Sequence, residues 1–421
     1  MGKLSMAPKA PKHESGDLPG GVRGSADPRF ATAVKAFGQL FARHRGGGAL
    51  SVYVHGEPVV DVWAGTSDNA GTQPWGENTG AMPYSATKGI ASTVIHRLAD
   101  RSLIDYDAPV AEYWPEFGAN GKSKITVRTV LTHRAGLYDM SRIAKNVDEV
   151  LDFRLMEERL AAAKPGRLLG TPTYHSLTYG WLLAGIARSI TGKGMAELYR
   201  TEIAEPLGVD GIYLGRPPAG SLTTAAGFSG RVDMLGHPIG RKLVPLTLGV
   251  PGPLGSFMRT VYVPGFESLL TGDRPRILDT EMPAANGTTT ARGLAAMYGA
   301  LASNGETANG RFLSAETVRK LSHVQTRQYD RTLYLPLNWR LGYHSFPVAG
   351  ATRTFGHVGF AGSGGYADRD SGVSIGFVHN RLPHAVFLPF DQSIITWLAP
   401  LVLRGLRGTV DEPRKGLRTA S

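Results

Sequence analysis

The sequence predicts an α+β fold: an antiparallel sheet built from both ends of the chain, flanked by helices, with an inserted all-α region. Three observations predict it. Segments rich in β-branched and aromatic residues lie near both ends, at 49–63 and 362–379. Helical periodicity dominates residues 105–215 between them. Amphipathic helices at 28–46 and 390–404 lie outside these strands, where they can cover the sheet.

The first elements form the opening of a sheet-containing domain. Residues 1–27 are rich in Pro, Gly, Ser and charge and contain no apolar stretch, so we expect a flexible leader and not a secretory signal. Asp27 and Pro28 are an N-cap and a first-turn residue, and they predict the start of the first helix. Two strands, 49–54 and 58–63, are expected to form a hairpin.

The middle of the chain has a different character. We expect a helical domain over residues 85–214, with helices at 85–100 and near 126–134, 147–163, 177–190 and 194–204. Residues 215–285 are rich in Gly, Pro and apolar side chains without a period. Because long irregular stretches in compact proteins are usually functional or disordered, we expect an insert that forms a pocket wall or lid.

The last part of the chain supplies the remaining predicted elements of the sheet-containing domain. Its predicted elements are helices at 289–303 and 314–322, strands at 362–368 and 373–379, and the final helix. The sheet-containing domain therefore comprises residues 28–84 and 286–405. Residues 406–421 are expected to be a flexible basic tail.

Composition excludes several classes of function. The 421 residues include no cysteine, which removes thiol nucleophiles, disulfides and Cys-ligated zinc. The net charge is +11, but the basic residues are scattered, so no nucleic-acid partner is expected, whereas attraction to an anionic surface or acidic substrate is compatible. No metal-ligand spacing is present, and we expect no metal and no cofactor.

The sequence gives only coarse indications of location. No apolar run is long enough for a transmembrane helix. A cytoplasmic location is expected, with export by another route or peripheral association with the cell envelope left open. The oligomeric state is not indicated.

The first chemical motif is Ser85-Ala86-Thr87-Lys88 at the start of the predicted helix 85–100. Residues three apart share a helix face, so the amine can reach the hydroxyl. The Ser85 N–H points out of the helix N-terminus, where the dipole favours negative charge. The pattern predicts a nucleophile, an amine partner and one oxyanion donor. An ordinary helix start with Ser85 as N-cap is the structural alternative.

The second motif is Tyr174-His175-Ser176, just before a predicted helix. A phenol has a pKa near 10, so Tyr174 can act as a base at neutral pH only beside a positive charge, which Lys88 would supply. Conversely, partial burial would let Lys88 lose or share its own proton. A tyrosine packed at a helix start, capped by Ser176, is the structural alternative.

The third motif is glycine-rich and spans residues 356–365. Its core reads Gly356-His357-Val358-Gly359-Phe360. Glycines allow a close approach of backbone N–H groups to a substrate, and we expect the Phe360 N–H to pair with that of Ser85 around an oxyanion. A bulge or tight turn would also explain the glycines, and His357 could be a satisfied core histidine.

Together these motifs resemble the serine β-lactamase and penicillin-binding-protein superfamily, closest to class C β-lactamases and the family VIII carboxylesterases that share their fold. Ser-x-x-Lys, Tyr-x-Ser about ninety positions later and His-x-Gly near the end occur in the family's order. Leu131–Leu137 and Tyr179–Gly185 agree with family stretches as well. The resemblance covers roughly residues 28–400 and implies a β-lactamase/transpeptidase-like fold. The site residues that it implies are Ser85, Lys88 and Tyr174 for catalysis, and Phe360, His357, Gly359 and Ser176 for the oxyanion or the substrate.

Two departures from the family pattern bear on the substrate. β-Lactamases carry Asn where this chain has Ser176, and Lys where it has His357. Because that lysine helps to hold the substrate carboxylate, and an imidazole with a pKa near 6.5 does so less well, the changes favour esters without a carboxylate. The expected function is a serine carboxylesterase (EC 3.1.1.-) that acts on small-molecule esters with short- to medium-chain acyl groups. A β-lactamase or D-amino-acid peptidase is the alternative of the same fold, and a catalytically silent ligand-binding homologue is the alternative of another class.

Overall fold

A seven-stranded antiparallel sheet forms the centre of the computed structural model, which describes residues 18–42, 45–230, 244–270, 274–345, 353–382 and 394–407. The strands are, in chain order, β1 (Val22–Ala26), β2 (Gly47–Val54), β3 (Glu57–Gly65), β4 (His344–Ser345), β5 (Phe355–Val358), β6 (Gly364–Asp368) and β7 (Val373–His379). Their order across the sheet is β1-β3-β2-β7-β6-β5-β4. Strands β2 and β7 pair directly, so both ends of the chain build one sheet and the predicted fold class is confirmed.

The two faces of the sheet are covered by different helices. Helices Ala31–Ala42 and Ile394–Arg407 pack together on one face, over buried side chains such as Leu50 and Ile375. Helix Ala291–Ala302 packs against β7, β2 and β6. It lies so close to the sheet that a Cβ on Gly376 would be 2.1 Å from the carbonyl oxygen of Ala291.

The all-α region surrounds one buried helix, Thr87–Asp100, which continues from a 3-10 turn at Tyr84–Ala86. The other α-helices of the region are Val110–Tyr113, Val127–Leu131, Val147–Leu151, Phe153–Ala162, Thr178–Thr191, Met195–Leu198 and Glu205–Leu207, with a π-helical turn at Tyr199–Ala204. The single helix predicted at 147–163 is wrong. It is broken at Asp152, whose carboxylate caps the second piece by accepting a hydrogen bond from the Leu155 N–H at 3.0 Å.

The leader prediction is wrong from residue 22 onward, because β1 pairs with β3 along its whole length. The strand was missed because its polar, glycine-containing sequence has no strong alternation, and backbone hydrogen bonds hold it at the sheet edge. Gly24 is required there, since its φ is +110° and a Cβ would be 2.1 Å from the Asp61 carbonyl oxygen. Residues 1–17 lie outside the described part of the chain.

The 215–285 segment is more regular than expected. Its amphipathic helix, Pro253–Val261, was not predicted, because Pro and Gly around it hide a short period. The segment also holds a two-residue strand, Thr224–Ala225, parallel to Thr79–Gly80, and 3-10 turns at Val244–Gly249, Phe266–Leu270 and Arg276–Asp279. Residues 231–243 and 271–273 lie outside the described residues.

The remaining elements close the fold. Strand Ile212–Leu214 pairs with Gly287–Thr289, and strand Glu306–Thr307 with Gly310–Arg311. Helix Ala315–Ser322 matches the helix predicted at 314–322. The final helix runs to Arg407, so the predicted tail boundary at 406 is wrong by two residues. The first residues of that predicted helix, 390–393, and the rest of the tail, 408–421, fall outside the described ranges.

Candidate active site

Ser85 lies on a strained turn at the entrance to the buried helix. The preceding residue, Tyr84, has φ = +49°, a conformation that a bulky side chain adopts only when its surroundings impose it. Its ring is held by a stacked contact with Phe228 at 6.3 Å and an edge contact with Phe360 at 5.5 Å between centroids. Ser85 itself is half-buried, and its N–H belongs to the first turn of a 3-10 helix, where backbone donors have no partner within the helix.

Lys88 is fully buried one turn later. Its Nζ donates hydrogen bonds to the Ser85 Oγ at 3.0 Å and to the Ala284 carbonyl oxygen at 2.9 Å. Burial holds the pKa of the Lys88 amine well below its usual range. The neutral amine keeps two hydrogens and gains a lone pair, so it can still donate to Ala284 while it accepts the proton of the Ser85 hydroxyl.

Tyr174 completes the cluster from a distant part of the chain. Its ring lies 4.9 Å from the Lys88 Nζ, measured to the centroid. Burial raises the pKa of the Tyr174 phenol, a hydrogen bond with Ser85 lowers it, and the negative charge of Asp330 raises it further. The net direction is upward, so the phenol is protonated at neutral pH. Of the two protonation schemes that the sequence left open, these directions favour a neutral Lys88 as the base.

Tyr174 is fixed by contacts that sequence reasoning missed. The buried carboxylate of Asp330 accepts a hydrogen bond from the Tyr174 N–H at 3.2 Å and another from the Trp339 Nε1 at 3.2 Å. The Trp339 ring stacks on the Tyr174 ring, with centroids 5.9 Å apart and an interplanar angle of 11°. No sequence motif identifies Asp330 or Trp339 as partners of Tyr174. They lie 156 and 165 positions after it, and no local pattern marks either residue.

His133, in the stretch Leu131–Leu137, supports the same turn from the other side. Its Nδ1 accepts a hydrogen bond from the His175 N–H at 3.1 Å, and its ring packs 5.0 Å from that of Tyr174. His175 in turn accepts a hydrogen bond from the Leu137 N–H at its Nε2. The backbone N–H groups of Tyr174 and His175 therefore donate to side chains from two different segments of the chain, which carry Asp330 and His133.

The third motif lies against the turn that carries Ser85. Gly359 follows β5, and a Cβ there would be 1.9 Å from the Pro83 carbonyl oxygen and 3.2 Å from the Ser85 nitrogen. Only glycine permits this approach. Phe360 begins the 3-10 turn Phe360–Gly362, so its N–H is also a donor without a partner in its own turn. The structure thus brings the predicted pair of backbone donors, Ser85 and Phe360, to neighbouring turns.

His357 is buried beside the cluster, 4.9 Å from the His344 ring and 6.4 Å from the Tyr174 ring. Its Nδ1 donates to the Val358 carbonyl oxygen at 2.9 Å, and its buried Nε2 has no hydrogen-bond partner within the described ranges. Burial, then His344, then Lys88 hold the pKa of His357 well below its usual range. The imidazole is neutral and offers an acceptor, which does not attract a carboxylate.

The Ser176 hydroxyl is bound by the helix Pro253–Val261. Its hydroxyl is hydrogen-bonded to the Thr260 hydroxyl, and Thr260 donates to the Phe257 carbonyl oxygen at 2.7 Å. Ser176 therefore links the tyrosine turn to helix Pro253–Val261, and the hydroxyl is already engaged there. The structure does not bring Ser176 together with Ser85 and Lys88 by any direct hydrogen bond among the residues it describes.

Two other kinds of site are not found among the described residues. In that part of the chain, no helix combines the length and apolar character that crossing a membrane requires. No group of three or more His, Cys, Asp or Glu side chains is placed there to hold a metal ion.

Comparison with known proteins gives consistent matches. The family model described as Beta-lactamase matches residues 30–393. The chain is 50% identical over 372 residues to the Esterase/beta-lactamase LipL of Mycobacterium tuberculosis, covering 88% of this chain and 85% of that protein. It is 31% identical over 191 residues to Esterase EstB of Burkholderia gladioli, covering 41% of this chain and 48% of the relative.

Solved structures agree with the fold. A family VIII carboxylesterase superposes with a TM-score of 0.75 at 28% identity, covering 92% of this chain and 99% of that chain. A penicillin-binding protein homologue from Caulobacter crescentus gives 0.74 at 27% identity, covering 91% and 99%. EstA from Arthrobacter nitroguajacolicus gives 0.74 at 26% identity, covering 91% and 98%.

Proposed function

The chain belongs to the beta-lactamase family, and we propose that within this family it is a serine carboxylesterase with Ser85 as nucleophile. One observation carries the proposal. The Ser85 hydroxyl lies in one hydrogen-bonded cluster with the buried Lys88 amine and the Tyr174 phenol, although Tyr174 is 89 positions after Ser85 in the chain. A nucleophile in contact with a base, which is itself oriented by a third group, is the arrangement that covalent catalysis needs.

The chemistry is acyl transfer in two steps. The Ser85 Oγ attacks the ester carbonyl carbon while the neutral Lys88 accepts the hydroxyl proton. The N–H groups of Ser85 and Phe360 donate to the oxyanion. Tyr174 passes a proton to the leaving alcohol oxygen and regains one from Lys88. Water then attacks the acyl-enzyme while the neutral Lys88 accepts a proton from it, and Lys88 returns that proton to the departing Ser85 Oγ, which releases the acid and restores the serine hydroxyl.

Three observations support esters over substrates that carry a carboxylate. His357 is neutral where a lysine would supply positive charge, so a carboxylate gains little at this position. Aromatic rings of Tyr84, Phe228 and Phe360 lie beside the nucleophile. Apolar side chains of helix Pro253–Val261 form a small cluster that is joined to the tyrosine turn through Thr260. These surfaces suit short to medium acyl chains.

A second function deserves a direct comparison because LipL carries both activities in its name. A β-lactam would acylate Ser85 in the same way as an ester. The two substrates differ because the β-lactam presents a carboxylate and the simple ester does not. A chromogenic cephalosporin and a series of nitrophenyl esters, from acetate to decanoate, separate the two functions on one preparation. We expect ester turnover with an optimum at short or medium chains, and cephalosporin turnover at least tenfold slower.

The assignment of the nucleophile is tested with a fluorophosphonate probe and peptide mapping. Wild type is expected to be labelled at Ser85, and Ser85→Ala to lose both labelling and ester turnover. Ser141→Ala, at an exposed serine that contacts Asp139, is the matched control and should behave as wild type. Labelling at another serine, or turnover retained in Ser85→Ala, contradicts the assignment. Folded protein without labelling or turnover would instead support a silent binding homologue.

A further inference from the structure

A cavity that shares no lining residue with the catalytic cluster is lined by arginines. The cavity measures about 370 Å³, within the range of small-molecule sites. The charged side chains that line it are Arg319, Arg327, Arg340, Arg353, Arg369 and Asp370. We call it the arginine cavity. Five guanidinium groups and one carboxylate leave a strongly positive concave surface.

Arg340 is the most unusual member because it is 4% exposed. Its Nε donates to the Ser322 carbonyl oxygen at 2.6 Å, another nitrogen donates to the Ser345 hydroxyl, and its guanidinium lies 5.6 Å from the Phe355 ring centroid. These partners are neutral. Burial lowers the pKa of Arg340 to about 10, and no carboxylate near it opposes that shift within the described residues. A buried cation without a counter-charge is costly, unless an anion completes it.

Arg369 is oriented in the same way. It donates to the Ser322 hydroxyl at 2.9 Å and to the Asn304 Oδ1 at 2.6 Å, which are again neutral acceptors. Ser322 therefore contacts both guanidinium groups, one through its carbonyl oxygen and one through its hydroxyl. The carboxylate that lines the cavity, Asp370, is paired with Arg353 at 3.2 Å, and both of these side chains are largely exposed. Burial lowers the pKa of Arg369 and Asp370 opposes that shift in part, whereas no carboxylate among the described residues acts on Arg340.

From this geometry we propose that the arginine cavity binds a phosphate-bearing anion with at least two negative charges. Planar guanidinium groups match phosphate oxygens with paired hydrogen bonds, and several of them in one concave surface suit two phosphate groups better than one carboxylate. Neutral acceptors hold Arg340 and Arg369 in position before the anion arrives, which lowers the entropic cost of binding. A soluble phosphate compound and a phospholipid headgroup share this chemistry.

The test measures binding of inorganic pyrophosphate to the full chain by calorimetry, with sulfate at equal ionic strength as the reference anion. Arg319→Gln combined with Arg327→Gln removes two exposed cavity charges and should not disturb folding. Arg23→Gln combined with Arg404→Gln removes the same charge at exposed positions outside the cavity. We expect one saturable site in wild type, weakened about tenfold per cavity arginine removed and unchanged in the control pair.

The source of the phosphate is resolved by a second arm with vesicles of phosphatidylglycerol or phosphatidylcholine. Sedimentation with phosphatidylglycerol vesicles that is lost in the cavity pair and kept in the control pair assigns the site to a lipid headgroup. Saturable pyrophosphate binding with the same dependence, but without vesicle binding, assigns it to a soluble phosphate. Equal binding by the two double variants, or binding of neither pyrophosphate nor vesicles by wild type, overturns the proposal.

Discussion

Lowering the pH from 7 to 5.5 is expected to destabilise this protein through its buried histidines. Six described histidines have a pKa lowered chiefly by burial: His96, His133, His175, His344, His357 and His379. They are neutral when folded, whereas in the unfolded chain they bind protons below about pH 6.5. Their contribution to stability is therefore complete above about pH 6.5 and is lost as the pH falls towards their folded values.

The loss of unfolding free energy can be worked out from the lowered pKa values of these histidines. His96 and His175 have a folded pKa of about 4. A histidine that falls from about 6.5 to about 4 on folding costs about 0.7 kcal/mol between pH 7 and 6, and about 1.8 kcal/mol between pH 7 and 5. The four histidines with a folded pKa of about 4 together amount to about 3 and about 7 kcal/mol, and burial of His133 and His357 adds to this in the same direction. Because the whole stability of a protein is about 5–15 kcal/mol, we expect acid unfolding between about pH 6 and pH 5.

The assay is urea unfolding at several pH values from 7.0 to 5.5, a range in which few carboxylates titrate. The slope of the unfolding free energy against pH gives the number of protons taken up. His96→Gln removes one buried imidazole, which now contacts Tyr106 and Leu341, and should lower the slope by about one proton below pH 6. Ser141→Ala, which removes no titratable group from an exposed position, should leave it unchanged. An unfolding free energy that stays constant from pH 7.0 to 5.5 would refute the reasoning.

Three substitutions test the site itself. Tyr174→Phe removes the phenol that is hydrogen-bonded to Ser85, and we expect kcat for a nitrophenyl ester to fall about 10²–10⁴-fold with little change in KM or melting temperature. Gly359→Ala should lower kcat/KM by about 10²-fold or more, because the methyl group would collide with a carbonyl oxygen and displace the Phe360 donor, whereas Gly249→Ala, with open space around its Cβ, should be neutral. Asp330→Asn keeps an acceptor for the backbone but removes the charge that adds to burial in raising the pKa of Tyr174, so the alkaline limb of the kcat profile should move to lower pH. An unchanged profile in folded Asp330→Asn protein contradicts that role.

Local patterns in the sequence were sufficient for much of the fold. The hairpin that became β2 and β3, the helix start at Asp27 and the helix after Ser85 all follow from short-range periodicity and capping, which act within a few residues. Strand β1 was missed, because an edge strand is held by hydrogen bonds to a neighbour 34 or more residues away. Helix Pro253–Val261 was missed because flanking Pro and Gly obscure a period of only two to three turns.

The residue types that are available for chemistry can be read from the chain alone: a serine and a lysine one helical turn apart, a tyrosine before a helix, and glycines before a strand. How these residues are used depends on the folded arrangement. Burial of Lys88 and Tyr174 comes from packing of segments far apart in the chain, and burial sets the direction of both pKa shifts. The partners that position them, Ala284 and Asp330, are likewise remote. Proximity and desolvation are properties of the folded chain, so no local pattern contains them.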